Sequence, residues 1–224
     1  MQTSESRSLS LPLSDAQLAA DLQLPAGAAG VVVFVHGSGS SRFSPRNLQV
    51  ADYFNGRGLA TLLFDLLTEQ EHRVDQVTRE FRFDIPRLSR RLVEVIDWLG
   101  SDAELQPLRI GLFGASTGAA AALVAAARST CPTGAVVSRG GRPDLAGDWL
   151  AQVTAPTLLL VGSRDHVVLE LNRAAMARIP GEKRLDIIPG ATHLFEERGT
   201  LEAVSAHAAD WFGRYLGRAQ SPNG

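Results

Sequence analysis

Apolar residues along this chain follow two rhythms. Short unbroken apolar runs alternate with longer stretches in which apolar positions recur every three to four residues. Residues 31–35 (Val-Val-Val-Phe-Val) and 156–161 (Pro-Thr-Leu-Leu-Leu-Val) are runs of the first kind, as expected of strands covered on both faces. Residues 59–67 form another, interrupted only by Asp65 near its end, and residues 109–113, 135–137 and 184–188 add three more. Between them lie helical patterns. Leu88, Leu92, Val95, Ile96 and Leu99 mark one face of a helix that Asp84 would cap, with Pro86 in its first turn and Gly100 at its end. Residues 45–56 read as a helix closed by Gly56 and Gly58, and Ala119 opens an alanine-rich helical run. Residues 144–153, 167–179 and 200–216 complete the helical set. Residues 7–13 and 17–24 alternate weakly, which predicts a leading hairpin. The charged stretch 68–83 reads as a surface loop or short helix, the polar segment 138–143 as a loop, and residues 1–8 and 219–224 as frayed ends.

Strands alternating with helices predict an α/β fold. The expected form is a mostly parallel central sheet of about eight strands, with a leading antiparallel hairpin and helices on both faces. A chain of 224 residues fits a single domain, 1–224. The stretch between Val137 and the next strand near Thr154 is too short for a lid domain, so no cap and an open, shallow site are expected. In such sheets ligands gather at the carboxyl ends of the strands. Four predicted strands end in chemically capable residues: His36-Gly37-Ser38, Ser116, Asp165 and His193.

The sharpest local signal is Gly114-Ala-Ser-Thr-Gly118, set between a buried strand and a helix. This is the G-x-S-x-G nucleophile elbow, which holds a serine proud of the backbone at a helix N-terminus. A serine hydroxyl needs a base to take its proton, and that base needs a third group to orient it. On this pattern the partners follow in the order Ser, acid, His. Of the five histidines, His36 and His72 precede Ser116, His207 sits inside the last helix, and His166 adjoins Asp165. His193, in a Gly-containing turn after the last strand, is the expected base. Asp165 is the expected orienting acid, although a turn aspartate capping the following helix is the plainer alternative. Glu196 and Glu197 read as rim charges. The backbone N–H groups of Thr117 and Ser38 are the expected oxyanion donors, with His36 structural. Arg139 and Arg142, after the strand at 135–137, and Arg42 are candidate ligands for a substrate carboxylate, because guanidinium pairs with carboxylates bidentately. A salt bridge holding the loop, to Asp144, Asp165 or a glutamate near 196, is the alternative for Arg139 and Arg142, a solvated helix start is the alternative for Arg42 and for Arg46, and loop anchoring is the expected role of Asp65.

Charge and composition narrow the partners. A formal net charge of -2 and scattered arginines offer no footprint for nucleic acid. Cys131 is the single cysteine, so no intrachain disulfide and no Cys-based zinc site are expected. The polar start lacks the apolar core of a secretory signal, and no apolar run approaches a membrane span. The expectation is a cytoplasmic protein, monomer or homodimer, with a small-molecule ester as partner, no membrane or nucleic acid, and neither metal nor organic cofactor.

These residues resemble the α/β-hydrolase superfamily, and more closely its small, capless, dienelactone-hydrolase-like members. The carriers are His36-Gly-Ser-Gly-Ser-Ser41 with Ser44-Pro-Arg-Asn47, Phe64-Asp-Leu-Leu-Thr68, the elbow, Ser138-Arg-Gly-Gly-Arg-Pro-Asp144, Gly162-Ser-Arg-Asp165 and Pro189-Gly-Ala-Thr-His-Leu-Phe195. Dienelactone hydrolases proper use a cysteine nucleophile. Ser116 stands here instead, and Cys131 lies far past the elbow, which favours ordinary ester hydrolysis. The resemblance implies a serine esterase acting on small or short acyl chains. Thioesterase, amidase or acyltransferase chemistry on the same triad is the alternative, and a non-catalytic binding domain of the same fold is a third. Some proteins with this pattern also carry phosphoribosyltransferase domains; none is read here.

Overall fold

The computed structural model of the chain describes residues 4–217. An eight-stranded sheet forms the middle layer, in the spatial order β1-β2-β4-β3-β5-β6-β7-β8. Strands β1 (Glu5–Pro12) and β2 (Gln17–Leu24) pair antiparallel, and β2 runs antiparallel to β4 (Ala60–Phe64). From β4 onward every pairing is parallel, through β3 (Gly30–Val35), β5 (Arg109–Ala115), β6 (Thr133–Arg139), β7 (Thr157–Gly162) and β8 (Lys183–Ile188). The chain leaves β3 toward β4 on one side and returns to β5 on the other. The crevice at this reversal is where such sheets bind ligands.

Helices cover both faces. On one, α1 (Pro45–Gly56) and α6 (Thr200–Leu216) bury Phe34, Phe54, Phe113 and Phe212 in a chain of tilted and edge-on rings 5.0–5.7 Å apart. On the other, α3 (Ile85–Ser101) and α4 (Thr117–Arg128) cover Val31, Val33, Leu62 and Leu112. Leu88, Leu92, Val95, Ile96 and Leu99 of α3 all face this core, as their spacing predicts, and Asp84 caps the helix by accepting from the Arg87 N–H. Alanines Ala119–Ala122 bring α4 close to the sheet, since no longer side chain separates them. Helix α5 (His166–Arg178) follows β7.

Several elements differ from the sequence reading for identifiable reasons. Of the two forms open to the charged stretch 68–83, residues 69–78 take the short helix, α2 (Glu69–Thr78), because Thr68 and Glu71 make a reciprocal capping box at its start. Strand β6 continues through Ser138 and Arg139, both buried, where polarity suggested a loop. The segment Pro143–Gln152 is a 3₁₀ helix kinked at Gly147, whose φ is 56°. Glu5 to Ser8, read as a frayed end, pair with Asp21 to Leu24; the expectation for residues 1–3 and 219–224 lies outside the described residues.

One buried ion network ties the leading hairpin to the helices. Arg91 of α3 is 1% exposed and donates to both carboxylate oxygens of Glu71 and of Asp15, and to the Leu66 carbonyl. No helix among the described residues is long and apolar enough to cross a membrane.

Candidate active site

The elbow is built at the end of β5. Ser116 has φ 51° and ψ −121°, a conformation that costs a side-chain-bearing residue on the order of 1–3 kcal/mol. Neighbouring backbone holds it there. The Ser116 N–H donates to the Arg139 carbonyl at 3.2 Å, and the Ser116 carbonyl accepts from Arg142 at 3.0 Å and Ala119 at 3.1 Å. The motif glycines are required by close approach. A Cβ on Gly114 would lie 2.5 Å from Ala119 Cα, and one on Gly118 would overlap the Val35 and His36 carbonyls. The turn therefore sits directly against the loop that follows β3.

Asp165 and His193 stand on the loops after β7 and β8. His193 Nδ1 and Asp165 Oδ2 are 2.6 Å apart. Asp165 occupies the N-cap position of α5, yet its carboxylate makes no cap bond and turns to the histidine instead. The two loops are laced together: Arg164 N–H donates to Ala191 O at 2.9 Å, and Gly190 N–H to Ser163 Oγ at 2.8 Å. Glu197 belongs to this scaffold and is not a mere rim charge, because its carboxylate accepts from the Thr192 N–H at 3.1 Å. The hydrogen bonds from Thr192 hold its carboxyl below the usual range. Glu196 is exposed and pairs with Arg46 at 3.3 Å. His193 packs against Gly140, where an added Cβ would meet His193 O at 3.0 Å and His193 Cε1 at 3.6 Å; Gly140 follows Arg139, whose carbonyl receives the Ser116 N–H. Ser116 Oγ itself makes no hydrogen bond among the described residues.

The loop after β3 lies opposite. His36 is buried, and its Nε2 accepts from the Leu66 N–H at 3.1 Å. That bond leaves the ring proton on Nδ1, which donates to Gly37 O at 2.9 Å. Burial pushes the His36 pKa down, so the neutral ring stitches the loop to the segment that follows β4. The Ser38 N–H donates to Thr117 Oγ1 at 2.9 Å. This predicted oxyanion donor thus lies beside the elbow but is already engaged by the neighbouring hydroxyl. Sequence alone gave no sign of that bond across 79 positions.

The three candidate arginines separate sharply. Arg42 is committed to Asp21 and Asp65, and Asp65 also accepts the Arg42 N–H. Asp65 thereby anchors the loop. Arg142 is held bidentately by Asp144 at 2.7 and 2.8 Å, which leaves its fork occupied. Arg139 is buried, and among the described residues its guanidinium hydrogen-bonds only to the Asn47 side chain. A cleft of about 510 Å³ opens beside the β3 loop between Arg42, Phe43, Leu67 and His72. A narrow hollow lined by Ser38, Thr117 and His36 joins the same wall to the elbow.

A capless, mostly parallel sheet with a strained serine elbow and a histidine–aspartate pair on the following loops is the arrangement of an α/β hydrolase. The family model described as alpha/beta hydrolase domain matches residues 28–211, and the chain belongs to that family. Its fold is dienelactone-hydrolase-like: it is 51% identical to the dienelactone hydrolase of Anabaena variabilis ATCC 29413, with a TM-score of 0.93, covering 95% of this chain and 99% of that one. Est1E from Butyrivibrio proteoclasticus shares the fold at a TM-score of 0.77 and 17% identity, over 93% and 98% of the two chains. A protein of Mycobacterium tuberculosis (strain ATCC 25618 / H37Rv), provisionally named a phosphoribosyl transferase, is 58% identical over 195 residues. That match covers 87% of this chain but 43% of the relative, so the chain spans less than half of that protein.

Proposed function

We propose that the protein is a serine hydrolase that cleaves carboxylic esters of small or short acyl groups. The observation that carries this reading is the His193–Asp165 bond at 2.6 Å, on loops that follow strands of the same sheet whose β5 ends in the strained Ser116 elbow. An ionised carboxylate only accepts. His193 therefore donates from Nδ1, and its Nε2 lone pair is left to act as base. Ser116 Oγ attacks the ester carbonyl carbon and its proton passes to Nε2. The tetrahedral oxyanion is held by the Thr117 N–H and by the Ser38 N–H, which the Thr117 hydroxyl aims and must share. The C–O bond of the ester then breaks, and the alcohol leaves with the proton from Nε2. Water repeats the cycle on the acyl-serine and restores Ser116. Every group required belongs to this chain, whereas the transferase name belongs to a protein more than twice the matched length.

The proposal also places substrate in the open cleft beside the β3 loop, whose wall mixes Phe43 and Leu67 with polar groups. Hydrolysis of p-nitrophenyl acetate and butyrate by wild type and Ser116→Ala tests it. The variant is expected to lose about 10³-fold or more in kcat, since the nucleophile acts as a unit with its base. Equal rates in the two proteins would end this reading.

A further inference from the structure

Strand β8 closes the sheet on one side, and its outer edge has no partner strand among the described residues. Its main-chain groups divide by parity. The Glu182 carbonyl accepts from the Thr157 N–H and the Ile188 carbonyl from the Ser163 N–H, so even-numbered residues turn their main-chain groups toward β7. The N–H and C=O groups of Lys183, Leu185 and Ile187 therefore point out of the sheet. No turn or loop bond among the described residues takes them up.

Edge strands are commonly guarded by charged side chains. On β8 those side chains are turned aside. The Lys183 ammonium donates to the Ile179 carbonyl. The Arg184 guanidinium lies over the Trp211 ring, 5.3 Å from its centroid, and donates through Nη2 to Asp186 Oδ2 at 2.6 Å. His207 Nδ1 meets the same oxygen at 2.6 Å. Asp186 Oδ1 and Arg184 Nε and Nη1 are left without a hydrogen bond among the described residues. Ile187, on the opposite face of the strand, is 41% exposed.

This edge is complementary to itself. Antiparallel strands exchange bonds between residues whose main-chain groups face each other. For two copies of β8 related by a two-fold axis, parity permits registers centred on Arg184, Leu185 or Asp186. Centring on Arg184 opposes two arginines, and centring on Asp186 opposes two aspartates. Centring on Leu185 sets each Arg184 opposite an Asp186, in a non-hydrogen-bonded pair whose Cα atoms stand about 4.5 Å apart. Asp186 can then hold one arginine on each oxygen. Leu185 exchanges both main-chain bonds with its counterpart and Lys183 does so with Ile187, about six bonds in all. On the α5 face Leu185, which packs with Val168 and Leu169, meets its counterpart, and Ile187 gains the methylenes of Lys183. Because the paired strands run in opposite directions, the two Ser116 elbows open at opposite ends of the assembly, and neither site borrows from the other.

We propose that β8 is a self-pairing edge through which two copies of this chain form a two-fold dimer with one continuous sheet, Arg184 of each copy paired with Asp186 of the other. The proposal does not rest on the esterase reading.

Sedimentation of the full chain at concentrations up to about 100 μM tests it. Wild type is expected to sediment as a dimer, at twice its mass of 24.0 kDa. Arg184→Asp and Asp186→Arg each set like charges opposite one another, and each should raise the dimer dissociation constant about 10-fold or more. An equimolar mixture of the two restores both opposite-charge pairs and should bind within about threefold of wild type. If Asp186→Arg does not fold because His207 loses its acceptor, Ile187→Pro replaces it. Proline there removes an outward N–H that only the dimer uses, and the variant should be a monomer with the circular dichroism of wild type. A wild type that stays monomeric at about 100 μM would overturn the proposal. So would a dimer indifferent to Arg184→Asp and Ile187→Pro, or a mixture of the two charge variants that binds no more tightly than either alone.

Discussion

Replacing Arg91 with alanine removes the buried cation shared by Asp15 and Glu71 at the junction of the hairpin, α2 and α3, and leaves them only the more exposed Arg90 and Arg87. The guanidinium is 1% exposed, whereas the carboxylates keep 30% and 19% of their side-chain surface. Breaking a buried pair from one side costs about 3–5 kcal/mol, and these partly wet carboxylates put the loss near the lower end, about 3 kcal/mol. For a domain of this size each kcal/mol moves the melting temperature by roughly 2–4 °C, so a drop of roughly 6–12 °C is expected at pH 7.5. The pH dependence has a definite sign. Burial opposes ionisation of Glu71 and Asp15, and the Arg91 hydrogen bonds and charge override it, leaving both below their ordinary values of 4.5 and 3.8. A depressed carboxyl stabilises the fold above its unfolded pKa and loses that contribution as pH falls through the folded one. The gap between wild type and Arg91→Ala should therefore be full at pH 7.5 and narrow as pH falls below about 4. Calorimetric melting of both proteins at pH 7.5 and 3.5 measures it. A drop below 3 °C at pH 7.5, or a gap that widens in acid, would refute the reasoning.

Three further outcomes follow from the site. Asp165→Asn should lower kcat by about 10³–10⁴-fold with little change in KM, because it removes the acceptor that fixes the His193 tautomer; ester kinetics within tenfold of wild type would contradict this. Thr117→Val should lower kcat about 10-fold, since Ser38 loses the acceptor that aims its N–H, and Thr117→Ser should restore it; a variant as fast as wild type would deny the hydroxyl that role. His36, whose pKa burial pushes below 6.5, contributes stability as the neutral ring above that value and loses it as pH falls. Wild type should thus lose melting temperature between pH 7 and 5, and His36→Asn should lose less over the same interval.

Local signals carried most of the fold. Helix α1 has the bounds its residues predict, because Ser44, Pro45, Gly56 and Gly58 punctuate both ends. The hairpin, the α3 stripe and the elbow strand are likewise written in spacings of a few residues. What sequence reading missed depends on partners far along the chain. Ser138 and Arg139 look like loop residues until β5 and β7 are seen on either side, supplying the ladder that outweighs their polarity. The commitment of Arg42 to Asp21 and Asp65 follows from the β2–β4 pairing. Glu197 was legible as a charge near His193, but not as the acceptor that folds the loop back onto Thr192. Thr68 and Glu71 did carry a readable capping signature, which the heavy charge of that stretch obscured.

The account stands on an activated Ser116. Incubation with a fluorophosphonate, followed by intact-mass and peptide mapping, addresses it directly. A single covalent adduct on the peptide containing Ser116, absent in Ser116→Ala and slowed in His193→Ala, is the expected result. An unlabelled wild type, or labelling that survives loss of the Ser116 hydroxyl, would contradict it.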